Sequence, residues 1–213
     1  ALSHVMEHGG IAGNMAGGTH HAHHDFGSGY CIFNDLAVCS LLALSKDDFT
    51  KIALVDFDVH QGDGTATILQ NIDKVLTISV HCRQNFPFRK SESDYDLELT
   101  ANSGDEEMLA MVAKALEIAK QFDPELILFQ AGVDGLATDA LGKLNISRQG
   151  MSKRNEMVFD LAVEQLIPTV VFMGGGYSDP IRHTIDAFSD LFHSASRANE
   201  QFLSKVDLDN VDS

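Results

Sequence analysis

The stretch VDFDVHQGDG, residues 55–64, closes an apolar run with three acids and a histidine. Alternation along a strand puts Asp56, Asp58 and His60 on one side and Val55, Phe57 and Val59 on the other. Carboxylates gathered at a buried strand end repel one another, and one of them protonates unless a cation lies between them. Asp58 and His60 are oxygen and nitrogen donors suited to a first-row divalent metal, and Asp134, in AGVDG (131–135) at another strand end, is a third. Three protein ligands leave a coordination position for water, which is the arrangement of a hydrolytic rather than a structural zinc site. Alone, D-x-D-x-H reads equally well as an ion-paired or capping cluster. Asp134 and paired histidines elsewhere move the reading toward metal.

Those histidines are His20 and His21 in GGTHHA (17–22), after glycines that let backbone approach a ligand. Imidazole titrates near neutrality and can take a proton from water, and a carboxylate on its other nitrogen orients it. Asp56 and Asp63 are available for that role, while His23 and His24 read as solvated or structural. Tyr177, in GGGY (174–177), could donate its phenol to a developing oxyanion. A Gly-rich turn of this kind also binds phosphate, but no P-loop lysine accompanies it and GGGYSDP places acid near the following helix.

The elements that must position these residues alternate between short β-rich runs and helical stretches, the pattern of an α/β fold with a parallel sheet covered on both faces. Strands are expected at 10–15, 51–58, 74–81, 125–132 and 168–175, and helices at 33–45, 63–72, 104–121, 148–165 and 179–195. The acidic run from Ser103 to Glu106 suits a helix start. Residues 83–102 read as an active-site or surface loop and 204–213 as a frayed tail, so the expected domain is 1–203. The motifs sit at the carboxyl ends of the strands, where open parallel sheets bind ligands.

With 213 residues the chain suffices for one sizeable domain. Lys and Arg number 15 against 31 Asp and Glu, a formal charge of −16, which opposes nonspecific binding to nucleic acid or anionic membrane and favours solubility or a cationic partner. Cys31, Cys39 and Cys82 form no C-x-x-C pair, so neither a disulfide framework nor a cysteine zinc site is expected, and a reducing cytoplasm fits best. No apolar run reaches the ~20 residues of a membrane span, and ALSHVMEHGG is not a signal peptide. It lacks an initiating Met, as a fragment or processed piece would.

Taken together, GGTHHA, GSGYCIFND (27–35), VDFDVHQGDG, SVH (79–81), AGVDG and GGGY resemble, in order, the motifs of the zinc-dependent histone deacetylase family. LGKLNISRQGMSKRNEMVF (141–159) and the short 83–102 loop are most similar to its class IV and bacterial acetoin-utilisation branches. The resemblance implies a three-layer arginase/deacetylase fold and removal of an acyl group from a lysine side chain or acetylated polyamine. It makes Asp58, His60 and Asp134 ligands of Zn²⁺, with Fe²⁺ as an alternative. It makes His21 the general base and acid, His20 its electrostatic support, Asp56 and Asp63 their partners and Tyr177 the oxyanion donor. Gly29 and Tyr30 would line a substrate tunnel with Phe86 or Phe88 as the opposite wall. A structural K⁺ would be held by Asp56, the Asp58 and His60 carbonyls, the Ser79 hydroxyl and the Val80 carbonyl. Where the family often has another histidine, Gln61 is expected to matter little.

The family's domain begins with a strand and loops upstream of the paired histidines. This chain starts close to the next helix, so the sheet would expose an edge unless a homo-oligomer or a complementing N-terminal segment covers it. The alternative is a truncated, noncatalytic binding module. Arginase-like hydrolysis would require a second metal.

Overall fold

In the computed structural model, which describes residues 1–46 and 49–211, one all-parallel sheet holds β1 (Ile11–Asn14), β2 (Ile52–Asp56), β3 (Val75–Cys82), β4 (Tyr95–Leu99), β5 (Leu126–Gln130) and β6 (Thr169–Phe172). Their order across the sheet is β1-β6-β5-β2-β3-β4. The helices are α1 (Leu2–His8), α2 (Asp35–Ser45), α3 (Asp63–Leu69), α4 (Asp105–Phe122), α5 (Arg148–Gln165) and α6 (Arg182–Val211). Both faces of the sheet are covered, as the continuous apolar runs of β2, β3 and β5 require.

The period of two along each strand divides the core. Ala53, Val55, Ile127, Phe129 and Val171 point toward α4, α5 and α6. Ile52, Leu54, Leu126, Leu128, Val170 and Phe172 point toward α1, α2 and α3. Each fully buried branched or aromatic side chain contributes about 1.5–3 kcal/mol, so the two layers supply most of the driving force that holds the strand ends in place. In register, Ile52 of β2 pairs with Val75 of β3 and Leu126 of β5. That alignment brings Asp56, Ser79 and Gln130 side by side at the carboxyl end of the sheet.

Three features depart from the sequence reading. β4 lies inside the expected 83–102 loop: Leu97 and Leu99 face the core, but Asp94, Asp96 and Glu98 interleave with them and hide the strand signal. Asp94 also caps the neighbouring strand, accepting from the Thr77 amide and hydroxyl at 2.8 Å each. α1 was not expected; Leu2 and Val5 anchor it to the second core layer. Finally, α6 continues past 195 to Val211, with Ala198 and Phe202 buried and the Asn199 side chain accepting from the Ile11 amide of β1 at 2.8 Å. Residues 204–211, read as a tail, extend that helix, while 212 and 213 lie outside the described residues. No helix among the described residues is long and apolar enough to cross a membrane.

Phe129 is fully buried and meets Phe57 and Phe159 edge-on at 5.7 and 6.0 Å. Phe129→Ala should therefore lower unfolding free energy by about 3–5 kcal/mol. In urea titrations this appears as a lower midpoint at unchanged slope, and a loss below about 1 kcal/mol would contradict the packing described.

Candidate metal centre and active site

β2 and β5 end side by side, and the chain after each turns back over the sheet. Asp58 and Asp134 are thereby buried together, with His60 beside them at the wall of a cavity of about 510 Å³. His60 Nδ1 lies 3.0 Å from both Asp58 Oδ1 and Asp134 Oδ2. One ligand atom from each of the three falls within 4.8 Å of the others. The remaining carboxylate oxygens are held by backbone: Gly175 N donates to Asp58 Oδ2 and Val59 N to Asp134 Oδ1, each at 2.9 Å. Gly175 must lack a side chain because a Cβ there would sit 2.3 Å from Asp134 Oδ2.

The electrostatics ask for a cation. Burial opposes ionisation of Asp134, and with the Asp58 charge it pushes the carboxyl up to about 7. Burial also opposes ionisation of Asp58, but His20 and His60 hold its carboxyl well below the usual range. His60 is pushed up to about 10, its burial outweighed by hydrogen bonds and charge from the two aspartates. One imidazole nitrogen and two carboxylates, converging at the edge of a cavity, form a donor set suited to a divalent metal. The fit is good.

His20 and His21 lie on the loop between β1 and α2 with their rings 4.1 Å apart. His20 Nδ1 is 2.6 Å from Asp56 Oδ2, and His21 Nδ1 is 2.6 Å from Asp63 Oδ1. The two environments diverge. Burial disfavours the charged form of His20, yet Asp56 and Asp58 prevail and raise it to about 9. Burial together with the His20 charge lowers His21 to about 4. At neutral pH a charged imidazole thus stands beside a neutral one. His23 has a structural role, bonding to Thr67 Oγ1 at 2.8 Å and Asp63 Oδ2 at 3.2 Å, and His24 is exposed.

The loop is fastened by residues of GSGYCIFND. Asn34 accepts from Ala37 N at the start of α2 and donates to the His20 and Ala22 carbonyls. Asp35 accepts from Gly18 N and Thr19 N at 2.8 Å each. Gly29, at φ 51°, lies against His21, and a Cβ would come within 2.3 Å of the ring. Tyr30 is 88% exposed at the cavity rim, with its ring 6.5 Å from that of Tyr177. Across the cavity Phe86 meets His21 edge-on at 4.9 Å, and the exposed Phe88 meets Phe86 at 6.4 Å. Both phenylalanines line the cavity.

Tyr177 also lines it, and burial with the nearby Asp58 and Asp134 pushes the phenol up to about 12, so it stays a donor. Its backbone is pinned by a residue that the sequence did not single out. Asp139 accepts from Tyr177 N at 2.6 Å through one oxygen and from Leu141 N and Gly142 N through the other. Gln61, expected to matter little, is fully buried and ties the 83–94 segment down: its amide donates to Ser91 O at 2.8 Å and Asp96 Oδ1 at 2.7 Å and accepts from Ser91 N. Asn85 bridges similarly, donating to Leu141 O and accepting from Lys143 N.

Ser79 and Val80 are buried on β3, with Ser79 in register beside Asp56. The Ser79 hydroxyl lies 2.9 Å from His81 Nδ1. Arg154, also missed in the sequence, is fully buried beneath the site; burial pulls it down to about 10, against the attraction of Asp134, Asp58 and Asp56, and it remains charged at neutral pH.

The Histone deacetylase domain family matches residues 1–190. An uncharacterized protein of Picosynechococcus sp. is 42% identical over 194 residues, covering 91% of this chain and 64% of that protein. Histone deacetylase 2 of Arabidopsis thaliana is 35% identical over 172 residues, covering 79% of this chain and 44% of that protein. Among solved structures, the HDA15 HD domain superposes with a TM-score of 0.72 at 27% identity, covering 86% of this chain and 57% of its own. Acetylpolyamine aminohydrolase from Burkholderia pseudomallei shares the fold, with a TM-score of 0.79 at 21% identity over 92% of this chain and 59% of that one. The chain spans less than two thirds of the length of these curated relatives. The match over residues 1–190 and the all-parallel three-layer α/β architecture together place this chain in the histone deacetylase family, with the arginase/deacetylase fold.

Proposed function

We propose that the chain forms the catalytic domain of a metal-dependent amide hydrolase that removes an acyl group from lysine or an acetylated amine. The observation that carries the reading is the convergence of the paired histidines His20 and His21, the Tyr177 side chain and the Asp58–His60–Asp134 cluster on one cavity. Asp58, His60 and Asp134 would hold Zn²⁺ or Fe²⁺, which when bound supplies Lewis-acid polarisation of a carbonyl and a lowered pKa for water.

The rest of the chemistry belongs to the protein. His21 has its Nδ1 committed to Asp63, which leaves Nε2 to take a proton from the attacking water and then return it to the departing amine. His20, held charged by Asp56, favours the build-up of negative charge on the carbonyl oxygen and discourages protonation of His21 before substrate arrives. Tyr177 donates a hydrogen bond from its phenol to that oxygen as it becomes tetrahedral. Gly29, Tyr30, Phe86 and Phe88 offer an aromatic-lined passage for an aliphatic side chain. Asp56 and Ser79, adjacent in register, with the Asp58, His60 and Val80 carbonyls, are the proposed K⁺ ligands.

Turnover of an acyl-lysine peptide or an acetylated polyamine, lost with chelator and restored by zinc, is the expected result for the purified protein. Tyr177→Phe should lower kcat about 10²–10³-fold without changing bound metal, and full activity in Asp134→Ala would overturn the metal assignment. Protein that binds metal and a hydroxamate yet never hydrolyses either substrate would instead support a noncatalytic binding module.

Zinc uptake should also release protons. His60 Nδ1 must be deprotonated to bind a metal, and its raised pKa of about 10 means that the proton is present throughout the neutral range. The affinity should therefore rise with pH, by about tenfold per unit for one proton displaced. Calorimetry in buffers of different ionisation enthalpy reads that proton, and pH-independent affinity would contradict the His60 assignment.

A further inference from the structure

Arg154 is the largest fully buried side chain among the described residues, and none of the proposed chemistry uses it. It projects from α5 beneath the carboxyl ends of β2 and β5. Its guanidinium donates to Phe57 O at 3.1 Å, Gly132 O at 2.5 Å and Ala131 O at 3.1 Å. Asn155 Oδ1 takes the two remaining contacts at 3.1 and 2.8 Å. No carboxylate pairs directly with it among the described residues.

These acceptors are not remote from the ligands. Phe57 O belongs to the peptide that leads into Asp58, and Gly132 lies two residues before Asp134. Gly132 also presses on Asp58 so closely that a Cβ would fall 2.1 Å from Asp58 Oδ2. One peptide therefore touches the guanidinium on one side and a candidate metal ligand on the other. Buried charges are rarely kept without a direct counter-ion, because desolvation is expensive. The compensation available here is collective: carbonyl oxygens at two strand ends, with Asp56, Asp58 and Asp134 just beyond them. The planar fork of arginine can satisfy several such carbonyls at once, which a lysine cannot do as fully.

We propose that Arg154 is a built-in counter-cation for the metal centre, a positioning residue whose charge balances the buried aspartates when no divalent ion is bound and opposes that ion when it is. The proposal rests on reading Asp58, His60 and Asp134 as metal ligands. It separates two roles that a scaffold residue would not separate. Removing the charge weakens the metal-free protein, yet tightens its grip on metal, because a like charge behind the ligands has gone.

The test compares wild-type protein with Arg154→Lys, Arg154→Gln and Arg154→Met. Zinc affinity is measured by competition with a chelator, and Tm with and without zinc. Arg154→Gln and Arg154→Met should bind zinc at least about tenfold more tightly than wild type and show a larger rise in Tm on adding zinc. Arg154→Lys should stay within about threefold of wild type. Neutral variants that fold only with zinc also support the proposal. Neutral variants that bind zinc no more tightly than wild type, or that fail to fold even with it, overturn the proposal and leave Arg154 a purely structural residue. Wild-type protein that takes up no zinc removes the metal reading as well, whereas wild-type uptake unchanged by neutralisation removes only the role of Arg154.

Discussion

Negative charge buried at the carboxyl ends of β2 and β5 is the constraint on which the rest of the structure depends. Asp56, Asp58 and Asp134 are each almost wholly removed from water, and carboxylates in such a medium cost several kcal/mol apiece unless positive charge or directed hydrogen bonds answer them. The fold answers from every side: His20 on Asp56, His60 between Asp58 and Asp134, amides from Val59 and Gly175, and Arg154 from beneath. The parallel sheet makes this concentration of charge affordable, because its two apolar layers hold the strand ends rigid while the polar groups meet only at one end.

Around that centre the cavity is built from loops that do not share secondary structure, and single side chains fasten each of them. Asn34 and Asp35 hold the histidine loop to α2, Gln61 and Asn85 secure the 83–94 segment, and Asp139 pins Tyr177. Each fastening residue reaches backbone on another segment and so fixes its position. A reacting centre needs its groups placed to within a fraction of an ångström, and such cross-loop bonds supply that precision where helices and strands do not extend.

The boundaries of the elements were only partly legible. The central strands announced themselves as continuous apolar runs, and α4 and α5 matched their expected spans closely because caps and acidic starts marked them. β4 escaped because an edge strand buries one side alone, and the acids on its other side read as loop. The far half of α6 escaped because its apolar positions, Ala198 and Phe202, acquire a reason to be buried only when the helix lies over β1. Arg154 was invisible for a related reason: KRNEMVF has the charge pattern of an exposed helix face, and nothing local says which charged residue turns inward.

By itself, the sequence determined the fold class and the residue types of the site, since alternation in VDFDVHQGDG, the glycine-flanked histidine pair and the polar strand ends are local patterns that period and spacing reveal. The three-dimensional structure alone decided which groups share a cavity and what state they hold. Asp58 and Asp134 are far apart in the chain, and only the β2–β5 register sets His60 at 3.0 Å from both. Two adjacent histidines with the same chemistry become one charged and one neutral because burial and neighbouring charge differ over a few ångströms. Those are properties of the folded interior, where low polarity amplifies every distance, and no linear pattern contains them.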